Sequence, residues 1–272
     1  MCGLVGALLK PGVRTLDAWR TILDVTTANL IANEERGREA AGIAVIQRDG
    51  RYLIFKQPVT VSKLVEMPGY QQVLETVGPE TVCILGHTRW PTKGSRWQNV
   101  NNHPLEAQHV VGVHNGQIKN DDQLFTVLDL PRAGEVDSEI IFRLQNTLNP
   151  VQHNGDYCSA LRHQLNLLNG RFATLSVDMR KPTQLLALKH LRPLCLHYED
   201  PLHTLFFSSR YIFLRRAFGR AVITEALDSG FGFCFDALRL SEMGSQPIET
   251  FELAPGTETP QTSPTSSTEG TL

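Results

Sequence analysis

The sequence has 272 residues, 41% of them hydrophobic and 20% charged, and its formal net charge is -2. These proportions are typical of a soluble globular protein, and the near-neutral charge argues against nucleic-acid or membrane-surface partners, which require a basic excess. No apolar run approaches the roughly 20 residues that cross a bilayer, and the first ten residues lack the pattern of a secretory signal. The five cysteines, odd in number and widely spaced, predict free thiols in a cytoplasmic protein.

Strands and helices are predicted in blocks along the chain. Residues 3–9 form a short apolar strand, and residues 14–32 follow the 3.6-residue period of an amphipathic helix. The dipeptide Asp49-Gly50 separates two apolar runs, which predicts a hairpin with a type I′ turn. Further strands are predicted at 41–47, 51–57, 82–88, 108–114, 172–178, 184–189, 194–198, 204–208, 231–235 and 248–253, and further helices at 138–147 and 159–168.

The order of these elements is strands, then helices, then strands, with hairpin-type links. This order favours an α+β fold with antiparallel sheets over a doubly wound parallel sheet. Residues 255–272 are dominated by Thr, Ser, Pro and Gly. Because such a segment cannot bury enough apolar surface to offset its ordering entropy, we expect a disordered tail there.

Cys2 is the cysteine whose position carries information. Methionine aminopeptidases remove Met1 when a small residue follows, and Cys2 would then carry a free α-amine beside its thiol. An α-amine with a pKa of about 7.7–8.0 is a suitable base for a thiol nucleophile at neutral pH. Taken alone, Cys2 is better explained as an ordinary small residue that happens to come second. The other four cysteines lie in or beside apolar segments, where core packing explains them.

Three polar clusters interrupt otherwise apolar strand ends, at residues 86–94, 101–104 and 113–116. Arg89 can form a bidentate pair with a carboxylate, and the Asn115 amide with the Gly116 N–H can form an oxyanion hole. Asp137 is expected to cap the following helix. Each feature also has an ordinary interpretation as a turn, a cap or a core side chain. The nine histidines show no H-E-x-x-H spacing, so no metal site is predicted.

Six motifs follow one another along the chain: Met1-Cys2-Gly3-Leu4-Val5-Gly6, Arg36-Gly37 with Ala41-Gly42, His87-Thr88-Arg89-Trp90 with Thr92 and Gly94, Asn102-His103-Pro104, His114-Asn115-Gly116 and Asp137-Ser138-Glu139. In this combination the chain resembles the class II glutamine amidotransferases (N-terminal-nucleophile glutaminases) and, within them, the glutaminase domain of glucosamine-6-phosphate synthase. The resemblance extends from Cys2 to about Phe251. It implies one domain, residues 2–254, folded as a four-layer αββα sandwich of two antiparallel sheets between helices.

The resemblance also implies which residues carry the reaction. Cys2 would attack the side-chain amide carbon of glutamine, giving a γ-glutamyl thioester and ammonia, with its own α-amine as general base. Asn115 and Gly116 would form the oxyanion hole, and Arg36 would lie near Cys2 and position it.

A second group of residues would hold the substrate. Arg89 would bind the α-carboxylate of glutamine and Asp137 its α-amino group, because a zwitterion needs one cationic and one anionic partner. Trp90, Thr92 and His103 would surround them. Lys93 departs from the resemblance, since the relatives often carry histidine at its position.

The resulting expectation is a stand-alone enzyme that hydrolyses L-glutamine to L-glutamate, uses no cofactor, and passes ammonia to a separate acceptor enzyme. No sugar-isomerase region follows the glutaminase motifs within the 272 residues. Two alternatives keep the fold: a hydrolase of another γ-glutamyl or small amide, and a non-catalytic glutamine-sensing or regulatory module. The presence of both Arg89 and Asp137 favours a free amino acid as substrate.

Overall fold

The computed structural model describes residues 2–153 and 156–258. Its helices are α1 (Leu16–Asn33), α2 (Val61–Leu64), α3 (Pro68–Glu75), α4 (Asp121–Val127), α5 (Glu139–Asn146), α6 (Tyr157–Leu165), α7 (Tyr211–Phe218) and α8 (Leu240–Met243). Its strands are β1 (Gly3–Leu9), β2 (Ala40–Gln47), β3 (Tyr52–Gln57), β4 (Thr81–Arg89), β5 (Leu105–Ala107), β6 (Val110–Ile118), β7 (Gly170–Asp178), β8 (Gln184–His190), β9 (Cys195–Glu199), β10 (Thr204–Ser208), β11 (Glu225–Ala226), β12 (Phe231–Asp236) and β13 (Glu249–Glu252).

The strands form two sheets. The first has seven strands in the order β11-β9-β10-β1-β4-β2-β3, and the second has six in the order β13-β12-β8-β7-β6-β5. Every pairing between these strands is antiparallel, as the order of predicted elements indicated. Strand β1 lies between β4 and β10 and is buried along its whole length.

Apolar side chains fill three successive layers. Leu4 and Leu8 of β1 point between the two sheets, where they join Val113 and Leu175 of the second sheet. The alternate residues of β1 point to the opposite face and pack with side chains of α1, α3 and α7. The outer face of the second sheet packs on α4, α5 and α6. The result is the expected α+β sandwich of helices, sheet, sheet and helices.

The first hairpin has a different turn from the predicted one. A type I′ turn needs positive φ at both central residues, but of Asp49 and Gly50 only Gly50 has one, at 84°. The Gln47 N–H donates to the Arg51 carbonyl at 2.8 Å, which closes a three-residue loop. The chain therefore turns first in an ordinary conformation and uses Gly50 alone for the left-handed position.

Strand β6 is longer than predicted and includes two candidate residues that were expected to lie at its end. Its ladder with β7 continues through the pairs Asn115–Ala173, Gly116–Phe172 and Ile118–Gly170. Asn115 and Gly116 therefore lie within a strand and not in a turn after it. The polar side chain and the glycine suggested a strand end, but pairing with β7 holds the backbone extended.

The expected tail lies mostly outside the described residues. Of residues 255–272, only 255–258 are described, and the Gly256 N–H donates to the Asn166 carbonyl at 2.8 Å. Across residues 2–153 and 156–258, no helix is both long enough and apolar enough to span a membrane. All five cysteines are free, and those other than Cys2 are buried in the apolar layers, as predicted.

Candidate active site

The pairing of β1 places Cys2 beside the end of β4. Gly3 lies opposite Thr88, so the chain before it runs alongside Arg89 and Trp90. The half-buried Sγ of Cys2 accepts the Trp90 N–H at 3.5 Å and lies 3.6 Å from the Trp90 carbonyl. Burial raises the pKa of the Cys2 thiol, and the contact with Trp90 and the charge of Arg89 only partly oppose this effect. The thiol is therefore protonated at neutral pH, and a nucleophilic role requires a base.

Two side chains fix the main chain of Cys2. The buried Arg36 donates from Nε to the Cys2 carbonyl at 2.7 Å. Burial and the neighbouring charge of Arg210 lower the pKa of Arg36 to about 10, which still leaves the guanidinium charged at neutral pH. The Cys2 nitrogen donates to Asn115 Oδ1 at 3.2 Å, which joins the first sheet to β6 of the second.

Asn115 and Gly116 lie side by side on β6 close to Cys2. Because Oδ1 of Asn115 accepts from Cys2, its buried Nδ2 is directed elsewhere and has no hydrogen-bond partner among the described residues. Gly116 has a φ of 156°, and a Cβ there would lie 2.0 Å from the Arg171 carbonyl oxygen. Only glycine fits at this position. A buried amide donor without a partner next to a thiol can stabilise a negative charge that develops on a bound ligand.

Arg89 ends β4 and holds the loop that follows it. Its Nη2 donates to the carbonyls of Lys93 at 2.7 Å and Gly94 at 2.8 Å, and its Nη1 donates to Asn102 Oδ1 at 2.8 Å. The side chain is buried, and burial lowers its pKa against the opposing effects of Cys2 and Asp137. Asn102 belongs to a polar cluster that the sequence singled out, but its role as a partner of Arg89 was not predicted.

Asp137 faces the cavity from the segment before α5. The sequence predicted that it caps this helix, but the residue at the cap position is Ser138, and Oδ2 of Asp137 instead accepts the Ile118 N–H at 2.7 Å. The carboxylate is thus tied to the end of β6. The prediction failed because the extended β6 presents a backbone donor that a strand ending at residue 114 would not have.

These side chains surround one small cavity. All the predicted site residues except Arg36 and Asn115 line it, and those two contact Cys2. The residues that line it are Cys2, Arg89, Trp90, Thr92, Lys93, His103, His114, Gly116, Val136, Asp137 and Ser138. Trp90 is 54% exposed and lies at the edge of the site. No group of three or more His, Cys, Asp or Glu is arranged to hold a metal ion within the part of the chain that the structure describes.

Three buried histidines form one wall of the site. The rings of His87 and His103 stack with centroids 4.1 Å apart, and His87 Nε2 donates to the carbonyl of His114 at 2.8 Å. His114 Nδ1 bonds to the Ser138 hydroxyl at 2.6 Å. Burial lowers the pKa of His87 to about 3 and that of His114 to about 4, and it holds the pKa of His103 well below its usual value. The wall is therefore uncharged at neutral pH.

A buried network beneath the start of β1 was not predicted. The Gly3 N–H donates to the hydroxyl of Thr88 at 3.0 Å, and that hydroxyl donates to the Asn33 carbonyl at 2.9 Å. Asn33 Nδ2 donates to the hydroxyl of Ser208 at 3.0 Å and to Asn29 Oδ1 at 3.1 Å. The signal was present in the sequence, because Asn29 and Asn33 are four residues apart and share the buried face of α1.

Known proteins resemble this chain in sequence. A model of the glutamine amidotransferase domain family matches residues 97–216. Glutamine–fructose-6-phosphate aminotransferases (isomerizing) from Escherichia coli K12 and Salmonella typhi are 29% identical over 225 residues, which is 79% of this chain and 34% of each relative. The chain thus spans about one third of the length of the curated relatives that it matches.

Solved structures show the same fold. Glutamine phosphoribosylpyrophosphate amidotransferase from Bacillus subtilis superposes with a TM-score of 0.66 at 18% identity, covering 92% of this chain and 49% of that protein. A structure described as the allosteric regulatory enzyme of purine biosynthesis superposes with a TM-score of 0.67 and the same identity and coverage. The chain is thus similar in sequence to glutamine amidotransferases and shares the fold of two solved amidotransferase structures.

Proposed function

We propose that this protein hydrolyses L-glutamine to L-glutamate and ammonia, with Cys2 as the nucleophile. The observation that carries the proposal is a cavity lined by the Cys2 thiol and by two side chains of opposite charge, Arg89 and Asp137. Beside it, Asn115 accepts a hydrogen bond from the Cys2 nitrogen and keeps an amide donor without a partner among the described residues. A free α-amino acid with a side-chain amide carries groups complementary to all of them.

In the proposed first step, removal of Met1 turns the Cys2 nitrogen into an α-amine. This amine takes the thiol proton, and Sγ attacks the side-chain carbonyl carbon of glutamine. The resulting oxyanion accepts hydrogen bonds from Asn115 Nδ2 and the Gly116 N–H. The raised pKa of the thiol supports the need for this base, since little thiolate exists at neutral pH without one.

In the second step the amine returns the proton to the leaving nitrogen, the C–N bond breaks, and ammonia departs. A water molecule then attacks the thioester, giving glutamate and restoring the thiol. Arg89 holds the α-carboxylate and Asp137 the α-amino group throughout, with Trp90, Thr92 and His103 around them. Arg36 keeps the main chain of Cys2 in place through its carbonyl.

We further propose that ammonia passes to an acceptor enzyme separate from this domain, which comprises residues 2–254. The described residues are accounted for by one sandwich, whereas the aminotransferases that it resembles are about three times longer than the matched region. The free state of all five cysteines supports a cytoplasmic location. Isolation of the tagged protein from its own cells, followed by a search for enzymes that use ammonia, tests the acceptor.

The reaction itself is tested by the Cys2→Ala variant. Mass spectrometry first establishes that Met1 is absent from the purified protein, and glutamate and ammonia are then measured with glutamine as substrate. We expect the wild type to release both and Cys2→Ala to release neither. Cys234→Ala, which removes a buried thiol far along the second sheet, is the matched control and keeps its activity.

Two results would contradict the proposal. Ammonia release by Cys2→Ala at the wild-type rate would remove the nucleophile from the mechanism. A preference of the wild type for γ-glutamyl amides that lack a free α-amino or α-carboxylate group would show that Arg89 and Asp137 do not hold the substrate.

A further inference from the structure

A compact cluster of four charges lies beside the cavity. Lys93 Nζ is 2.6 Å from Asp121 Oδ2 and 2.7 Å from Asp122 Oδ1. Arg132 reaches the same two carboxylates, with Nη2 3.0 Å from Asp121 Oδ2 and Nη1 2.5 Å from Asp122 Oδ1. Asp121 is almost fully buried, whereas 72% of the Asp122 side chain is exposed. Each cation thus contacts both anions, and no contact in this group involves Cys2.

The Lys93 end of the cluster belongs to the loop that Arg89 holds. Arg89 Nη2 donates to the main-chain carbonyls of Lys93 and Gly94, so the position of this loop and the position of the guanidinium depend on each other. The ammonium of Lys93 reaches beyond the loop to the start of α4. Any movement of the loop away from α4 breaks both ion pairs of Lys93.

The Arg132 end of the cluster belongs to the segment that leads to Asp137. Arg132 Nε donates to the Gly134 carbonyl at 2.8 Å, and its Nη2 donates to the Glu135 carbonyl at 2.9 Å. The carboxylates between the two cations begin α4, shortly after Ile118, whose N–H donates to Asp137. The loop with Arg89, the end of β6 and the segment with Asp137 are therefore joined through two aspartates.

We infer that Lys93 and Arg132 are positioning residues, which set the separation between Arg89 and Asp137 by sharing the two carboxylates at the start of α4. The consequence for glutamine affinity rests on the proposed function, which assigns those two side chains to the α-carboxylate and the α-amino group.

Lys93 is the member that can be removed with the least damage to the fold. Asp121 keeps its ion pair with Arg132 when Lys93 is replaced, so no buried carboxylate is left without a partner. Although burial by itself lowers the pKa of Lys93, its hydrogen bonds to Asp121 and Asp122 outweigh that effect and raise it. The same contacts lower the pKa of Asp122. Lys93 and Asp122 are therefore both charged at neutral pH, and salt can screen their exposed contact.

The test compares Lys93→Met with Lys119→Met. Lys119 is an exposed lysine at the end of β6 that makes no ion pair with the described residues, so its replacement changes the net charge equally. With glutamine as substrate, we expect the KM of Lys93→Met to rise about tenfold and kcat to change less than about twofold. Lys119→Met is expected to match the wild type, and Lys93→Arg to recover most of the lost affinity.

Hydrogen–deuterium exchange of the same variants, without substrate, gives a second readout that does not need turnover. Amides of residues 90–95 should exchange faster in Lys93→Met than in the wild type and Lys119→Met, and added salt should narrow the difference. Unchanged exchange and unchanged KM in Lys93→Met would overturn the inference. Faster exchange in that variant, together with a wild type that releases no ammonia from glutamine, would support the inference and contradict the proposed function.

Discussion

The two ends of the cavity are held together by different kinds of interaction. At the nucleophile end, the start of β1 lies on buried neutral hydrogen bonds among Gly3, Thr88, Asn33 and Ser208. At the anchor end, Arg89 and Asp137 are connected by charged side chains, of which several reach the surface. Buried neutral bonds keep their strength in salt, whereas exposed ion pairs are screened and contribute less. The contacts beneath Cys2 should therefore withstand salt, whereas the separation of Arg89 and Asp137, the proposed substrate anchors, depends on ion pairs that salt weakens.

Asn115→Ala gives the largest effect expected at the nucleophile end. Loss of one oxyanion-hole donor lowers kcat by about 100- to 1,000-fold, and KM for glutamine should stay close to that of the wild type. Steady-state measurement of glutamate release checks this. Gln117→Ala, an exposed neighbour on the same strand, is the control. A rise in KM for glutamine with unchanged kcat would show that Asn115 acts in substrate binding and not in stabilising the oxyanion.

Arg89→Lys is the corresponding change at the anchor end. The variant keeps the charge but loses the fork that bonds Asn102 and the two loop carbonyls. We expect KM for glutamine to rise about 10- to 100-fold, with a smaller change in kcat. Arg51→Lys on the first hairpin serves as the control. Equal losses in kcat and kcat/KM would show that Arg89 acts on the transition state and would contradict its assignment to substrate binding.

Thr88→Val tests the neutral network through stability. The change leaves the buried Gly3 N–H without an acceptor, which costs about 1–3 kcal/mol of unfolding free energy. For a domain of this size the melting temperature should fall by about 2–4 °C for each kcal/mol. Thr21→Val, on the exposed face of α1, should cause little change. Because the bond is neutral, the difference between Thr88→Val and the wild type should be the same at low and high salt.

Acid should lower the free energy of unfolding through the three buried histidines of the site, by a smaller amount per pH unit than the substitutions above. Below about pH 6.5 the unfolded chain protonates these histidines. The folded chain keeps His87 neutral down to a pKa of about 3 and His114 down to about 4. Since the unfolded state then binds more protons, stability is complete above pH 6.5 and falls as the pH decreases towards 4. Each histidine contributes at most roughly 1.4 kcal/mol per pH unit.

Thermal unfolding of the wild type and His87→Gln between pH 7.5 and 4.5 measures this contribution. The glutamine variant retains a donor for the His114 carbonyl but does not titrate in this range, so its stability should fall less steeply with acid. Identical slopes for the two proteins would show that His87 does not remain neutral in the folded state.

Sequence reasoning identified which side chains belong to the candidate site better than it predicted their strands and hydrogen-bond partners. The order of motifs named Cys2, Arg89, Asn115 and Asp137; in the structure Cys2, Arg89 and Asp137 line one cavity, and Asn115 is bonded to Cys2. The sequence did not show that Asp137 bonds the end of β6, because that contact depends on how far the pairing of β6 with β7 continues. Local patterns report which residues prefer a strand, whereas the extent of a ladder depends on its partner.

Contacts between distant segments were missed for a similar reason. Periodicity found α1, but it did not show that Asn29 and Asn33 meet Ser208 from the far end of the chain. Likewise, Lys93 was noted as a departure from the resemblance, but its pairing with Asp121 requires the loop and α4 to be brought together by the two sheets. Helix α4 itself was not predicted, since it is short and its exposed residues carry little periodicity.

The place of β1 in the first sheet has a consequence for how the protein is made. Residues 3–9 are synthesised early, but they pair with residues 81–89 on one side and 204–208 on the other. A strand with such distant neighbours can complete its hydrogen bonds only after most of the chain has left the ribosome. The environment of Cys2 is therefore among the last parts of the domain to form, and an unfinished chain holds Cys2 without the strand pairing that places it beside the cavity.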